Sequence, residues 1–153
     1  MKLKNLCLVL LILLFGSQYA HAWEVNVGDG WFGYTKTYEI YGGLYDFNVQ
    51  LKKVEPYYLG LGSFTELDIP SSVRNGLFYY SVKAIASEAC NGLAGLQKVN
   101  LPSGLEVIFA SAFQNCTGLS SLTLPGTVFY IYPDAFSGCT GLQELTLPSR
   151  LST

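Results

Sequence analysis

Few side chains in this chain of 153 residues can do chemistry, and they are scattered: one histidine, four cysteines and eleven carboxylates. Glu66 and Asp68 stand two apart, a spacing that on a strand puts both carboxylates on one side, as general acid and base in a glycosidase would need. Nothing in the flanking residues buries them, so a hydrated edge is the simpler reading. Gly28, Gly30 and Gly33 lack the strand and helix that frame a phosphate-binding loop and read as turns. Asn115-Cys116-Thr117 has the form of a glycosylation sequon, although its position in the repeat described below looks packed.

The histidine falls in a segment that is not expected to persist. Lys2 and Lys4 precede an apolar run from Leu6 to Phe15, and Ala20-His21-Ala22 has the small-x-small form of a cleavage site. This is the pattern of a secretory signal peptide, residues 1–22. An uncleaved anchor is the rival, but ten apolar residues rise only about 15 Å, half of a bilayer core. Cys7 lacks the small residues that precede a lipidated cysteine. Removing the segment takes His21, and with it any Ser-His-Asp, Cys-His or His-ligated zinc site.

Removal also takes two of nine cations and none of the eleven anions, so the formal charge moves from −2 to −4. A nucleic-acid groove or polybasic membrane patch needs clustered Lys or Arg, and neither is expected. No later apolar run is long enough to span a bilayer. No cofactor, no metal and no catalysis are expected.

The elements that position the remaining side chains follow from a repeat. Leu101-Pro102 opens one unit, Leu124-Pro125 the next and Leu147-Pro148 a third, at a constant period of 23; the first two are identical at 11 of 23 positions. Chance would give about one or two, with each residue type at a few per cent. A fixed period in this range predicts a solenoid, whose units bury their apolar edges against one another. The fold class expected is mainly β, a leucine-rich solenoid of 23-residue units. Leu119-x-x-Leu122-x-Leu124 and Leu142-x-x-Leu145-x-Leu147 end in the alternation of a half-buried strand. Pro125 and Pro148 stop it, and Gly118 and Gly141 precede it where a Cβ would obstruct the chain. Leu105 with Ile108, and Val128 with Ile131, predict the opposite wall; Ala112-Phe113 and Ala135-Phe136 return the chain.

The mature cysteines fit this register. Cys116 and Cys139 are equivalent, and Cys90 lies one period before Phe113, so all three read as small buried hydrophobes. A bridge between Cys116 and Cys139 needs adjacent coils about 5 Å apart, and the parallel Cβ directions of equivalent positions disfavour it.

Going backwards, Leu96-x-x-Val99-x-Leu101 keeps the pattern, and Phe64-x-x-Leu67-x-Ile69-Pro70 precedes it by one period and nine more. That surplus predicts an insertion at 73–81, with Asn75-Gly76 as its hairpin turn. Residues 23–62 lack the period. Tyr38–Tyr41 and Leu44–Val49 alternate on either side of Gly42-Gly43, which predicts a β-hairpin cap on the stack. The solenoid is thus placed at 63–153, its last repeat cut short at Thr153, as expected of a fragment of a longer protein.

Between the buried leucines, outward positions form polar columns: Thr65, Glu66 and Asp68; Gln97, Lys98 and Asn100; Ser120, Ser121 and Thr123; Gln143, Glu144 and Thr146. A solvated sheet face is the default for such a strip; a partner-binding face is the functional alternative. On the other wall Phe129, Tyr130 and Tyr132 flank the core positions and, with Phe78, Tyr79 and Tyr80, are expected to form an aromatic patch suited to protein or sugar contacts, or to cross-strand packing.

The string Leu-Pro-x-x-Val/Leu-x-x-Ile-x-x-x-Ala-Phe-x-x-Cys-Thr-Gly-Leu-x-x-Leu-Thr over 101–146 resembles the BspA-like leucine-rich repeats of bacterial and some protozoan surface proteins. The resemblance covers about 67–153, and residues 38–81 look like the region that precedes such repeats in exported Bacteroidetes proteins. It departs at Ala89-Cys90, where the family has Ala-Phe. The resemblance implies a secreted or cell-surface protein that adheres to a protein partner, either host matrix or another microbe's surface protein. A glycan-binding accessory module, using Tyr130, Tyr132 or Tyr79, and a structural spacer are the alternatives. N-terminal sequencing of the exported chain is expected to begin at Trp23; a start at Met1 would contradict cleavage.

Overall fold

The computed structural model describes residues 24–29, 34–41, 48–56, 65–75 and 77–152. The signal-like segment and residues 42–47, which carry Gly42-Gly43 and most of the second aromatic stretch, lie outside them. The described chain is built from strands and turns.

Three strands lead in: β1 (Glu24–Asp29), β2 (Tyr34–Tyr41) and β3 (Asn48–Pro56) form an antiparallel meander, with Tyr41 opposite Asn48. The second strand of the expected hairpin therefore begins at Asn48 and runs on to Pro56, further than the aromatic alternation indicated. Two more follow, β4 (Glu66–Asp68) and β5 (Ser72–Asn75), before β6 (Phe78–Ile85). β3 lies parallel to β6, pairing Leu51 with Ile85. From there the sheet continues through β8 (Val107–Ile108) and β10 (Tyr130–Ile131), both parallel, in the order β1-β2-β3-β6-β8-β10. Here Ala84, Val107 and Tyr130 lie level, as do Ile85, Ile108 and Ile131, each one period from the last.

On the opposite wall β4 pairs with β7 (Lys98–Asn100), and β9 (Ser121–Thr123) pairs with β11 (Glu144–Thr146), all parallel. The β9–β11 partners are one period apart, whereas Glu66 and Lys98 are separated by that period and the surplus. The extra length is taken up by the β5–β6 hairpin, in which Asn75 pairs with Phe78. Asn75 therefore belongs to β5 as a paired strand residue, while Gly76 lies outside the described residues.

A third side joins the walls with turns. Their amides alternate: Ala112 and Gln114 close within the coil on the Phe109 and Ser111 carbonyls, at 3.3 and 3.0 Å, while others reach the next, Cys90 N–H donating to the Ala112 carbonyl, Phe113 to Ala135 and Asn115 to Ser137, each at 2.8 Å. Backbone polarity that a loop would otherwise leave to water is thereby paired between coils. Two positions in each turn are left-handed, with φ of 59°, 56° and 60° at Glu88, Ser111 and Asp134, and of 75°, 61° and 75° at Gly92, Asn115 and Gly138. The second column holds only Gly and Asn, the types that tolerate this region best.

The core is a file of equivalent side chains. Leu67, Leu96, Leu105, Ile108, Phe113, Cys116, Leu119 and Val128 are fully buried. Phe113 and Phe136 stack with centroids 5.6 Å apart and planes 7° from parallel. The file opens toward the last coil: Leu124 is buried, but Leu147, its equivalent, is 53% exposed. Cys90 and Cys116 are buried and Cys139 half-buried, and all three are free thiols. Each of the latter two donates to the preceding coil, Cys116 to the Cys90 carbonyl and Cys139 to that of Phe113, both at 3.1 Å. Burial pushes the Cys116 thiol up to about 12, helped by the neighbouring Cys139, and raises Cys90 well above the ordinary range.

Close approach rather than turn type explains two glycines. A Cβ on Gly118 would stand 2.5 Å from the Ala94 carbonyl oxygen, and one on Gly141 2.5 Å from that of Thr117, whereas Gly126 has open space. Gly118→Ala is expected to lose about 1–3 kcal/mol, the usual cost of overpacking, and Gly126→Ala to be neutral or gain a few tenths, both read by denaturant melts. Because folding holds the Cys116 proton beyond the pH at which an unfolded thiol loses it, the unfolded chain binds fewer protons above about pH 9. Stability is expected to fall from pH 9 toward 12, with a gentler slope in Cys116→Ala; equal slopes would contradict the buried thiol.

Candidate partner-binding surface

Two surfaces gather the side chains that sequence reasoning marked. The first is the outward face of β4, β7, β9 and β11. Alternation about buried Leu67, Val99 and Leu122 turns Glu66, Asp68, Lys98, Ser121 and Thr123 to solvent, and Asn100 is half-buried. Register sets Glu66 level with Lys98, Asp68 with Asn100, Ser121 with Glu144 and Thr123 with Thr146. A backbone chain ties the column of Thr65, Gln97, Ser120 and Gln143 together, each amide donating to the preceding carbonyl at 2.8, 3.2 and 3.0 Å. The columns are thus formed, continuous at their entry edge and broken into two strand pairs beyond it.

Glu66 on this face is partnered across the coils. Its Oε1 accepts from Lys98 Nζ at 2.7 Å and from Asn100 Nδ2 at 2.9 Å. The Lys98 hydrogen bond, then that from Asn100 and the Lys98 charge, hold the carboxyl below its usual range. A general acid needs the opposite shift, so Glu66 is arranged as a cross-coil polar contact.

The second surface is the outer side of β6, β8 and β10. Phe129, Tyr130 and Tyr132 are 38%, 46% and 44% exposed. Tyr130 packs edgewise on Phe129 at 5.5 Å and lies 6.1 Å from Tyr132. Sequence reasoning missed the fourth member: Phe109 stacks on Tyr132 at 5.1 Å with planes 25° apart. The signal was available, because Phe109 and Tyr132 are equivalent positions in successive units. Also missed was the link from Lys83 Nζ to Glu106 Oε1, 2.7 Å across one period of the repeat.

The hairpin aromatics do not lie level with this group. Tyr79 precedes Ala84, the residue level with Tyr130, by five positions, roughly 17 Å of strand. At the hairpin Leu77 is 76% and Tyr79 64% exposed, with the Arg74 guanidinium 5.7 Å from the Tyr79 ring centre. Among the described residues no helix is long and apolar enough to cross a membrane, and no group of three or more His, Cys, Asp or Glu could hold a metal ion.

With parallel coils in place, the comparison with known proteins is direct. Residues 52–153 match the BspA type leucine rich repeat region in six copies. The chain belongs to this BspA-type leucine-rich repeat family. The match begins within β3, earlier than position 67 where the repeated residues first become legible. A leucine-rich repeat protein from Bacteroides capillosus is similar in structure, with 24% identity and a TM-score of 0.51 over 80% of this chain and 96% of its own. So are the pneumococcal vaccine antigen PcpA, with 18%, 0.50, 83% and 39%, and a leucine-rich repeat protein from Bacteroides ovatus, with 18%, 0.47, 76% and 41%. The chain spans about two-fifths of the length of these last two. The likeness to the first two shows a shared fold. Among curated proteins none matches this chain.

Lys98→Ala is expected to raise the Glu66 pKa toward the ordinary carboxylate value in an NMR titration; an unchanged Glu66 would contradict the cross-coil contact.

Proposed function

We propose that this BspA-type repeat protein is exported and displayed at the cell surface, where it binds a protein partner, of host matrix or of another microbe, through the polar columns of β4, β7, β9 and β11. The observation that carries the reading is the regular presentation of Gln97, Lys98, Ser121, Thr123, Glu144 and Thr146 on a buried, hydrogen-bonded frame. Side chains held at fixed intervals lose little freedom on binding, which keeps the entropic cost of recognition low. The Glu66–Lys98 pair and Glu144 give the face both signs of charge, and such rim charges tune encounter and selectivity more than affinity. The export signal expected at residues 1–22 supports display outside the cell.

Replacing Lys98, Ser121, Thr123 and Glu144 together by Ala is expected to weaken binding to an immobilised panel of extracellular-matrix proteins at least tenfold, about 1.4 kcal/mol. The melting temperature should stay within a few degrees, since all four are exposed. Binding that survives the quadruple substitution would reject this face.

A further inference from the structure

Phe109 and Tyr132 set the direction in which the rings on the other wall face. Ile108 and Ile131 are level on neighbouring parallel strands, so the residues that follow them, Phe109 and Tyr132, lie side by side across the sheet. Their planes, 25° apart with centroids at 5.1 Å, put one ring flat against the other, so both turn their faces along the stack. Tyr130 stands two residues before Tyr132, on the same side of the chain because side chains of a strand alternate. Its plane lies within 35° of that of Tyr132, at 6.1 Å between centroids. The two tyrosine rings therefore sit next to each other along the strand with their faces turned nearly the same way. Phe129 meets Tyr130 edge-on at 5.5 Å, with planes 68° apart, and so bounds this platform rather than extending it.

Charge and area narrow what such a platform can hold. Phe129 N–H donates to the Glu106 carbonyl and Glu106 N–H to that of Lys83, which places the three in one column beside the rings. In that column the Lys83 ammonium and the Glu106 carboxylate meet at 2.7 Å and neutralise each other, so it attracts neither a polyanion nor a polycation. Phe129, Tyr130 and Tyr132 are between 38% and 46% exposed; at about 150–250 Å² for each whole side chain, they offer roughly 250 Å². A stable protein interface covers about 800 Å² on each partner, three times as much, which argues against a second copy or a folded partner as the occupant. An aromatic anchor from a protein gains most in an enclosed, desolvated pocket, and rings this exposed do not enclose one. The phenol hydroxyls of Tyr130 and Tyr132 both donate and accept. An uncharged ligand with a flat C–H face and a hydroxylated rim matches the platform in charge, size and polarity.

We propose that Tyr130 and Tyr132 form a stacking subsite for a neutral polysaccharide of the flat, equatorially linked kind, two successive pyranose rings laying their C–H faces on the two tyrosines. The 6.1 Å between ring centres is comparable to the step between successive sugars in such a chain, so each sugar keeps to its own ring. The subsite lies on the wall opposite the polar columns and adds a second class of ligand to protein binding.

Titration calorimetry of the full chain with cellotetraose, and with its axially linked isomer maltotetraose, tests this. Cellotetraose should bind at least tenfold more tightly than maltotetraose, with an affinity that added salt leaves unchanged, because the ligand carries no charge. Tyr132→Ala should weaken cellotetraose binding tenfold or more, whereas Tyr132→Phe, which keeps the ring, should keep most of it. If Tyr132→Ala does not fold, Tyr130→Ala, which leaves the Phe109–Tyr132 stack in place, should give the same loss at an unchanged melting temperature. Replacing the polar columns should leave sugar binding as it was, so this proposal and the protein-binding one fail separately. No binding of cellotetraose, equal binding of the two isomers, loss of affinity in salt, or binding undiminished in Tyr130→Ala would overturn the subsite. A matrix protein whose binding is lost in Tyr130→Ala while neither sugar binds would overturn it in favour of a protein partner.

Discussion

At Gly118 the chain passes beneath the preceding coil so closely that a single methyl group would meet the Ala94 carbonyl oxygen at 2.5 Å, and at Gly141 the same approach recurs one coil later. The rest of the structure depends on that separation. It is short enough for turn amides to reach the next coil's carbonyls, for the Cys116 and Cys139 thiols to donate to the coil before, and for Phe113 to lie flat on Phe136. Each coil alone would present its backbone polar groups to water and its leucines to nothing; only the next coil satisfies both.

A frame of this kind has consequences for what its surfaces can do. Side chains that follow the same backbone path at each step emerge in the same direction, so any residue type repeated at the period becomes a column. On one wall the columns are polar and mixed in sign. On the other they are aromatic, with Phe109 stacked on Tyr132 and Tyr130 beside it. Recognition on such a scaffold is a matter of which residues fill the outward positions, since the inward ones are committed to the file of Leu67, Leu105, Leu119 and their equivalents.

The end coils carry the departures. At the first, Cys90 stands where later coils have phenylalanine, and it is fully buried. Toward the last, Leu145 and Leu147 are exposed where their equivalents Leu122 and Leu124 are covered. The ring above Phe113 is Phe136; below it, the smaller Cys90 accepts at its carbonyl the Cys116 thiol. The raised thiol pKa values follow from the same burial, and they describe packing groups rather than nucleophiles.

The repeat, the two walls, the buried Cys90 and Cys116 and the outward columns were legible in the amino-acid sequence, because residues recurring at a constant interval fall in file in a stack; Cys139, only half-buried, departs from that reading. Tertiary structure alone decided three things. Asn75 of the insertion is a strand residue, since cross-strand pairing with Phe78, and not its local turn preference, sets its place. The meander β1–β3 joins the solenoid sheet in parallel register with β6, a long-range pairing that no local pattern encodes. Lys52 thereby comes level with Ala86 and Phe109, both far from it along the chain, because backbone hydrogen bonds bring those three strands side by side.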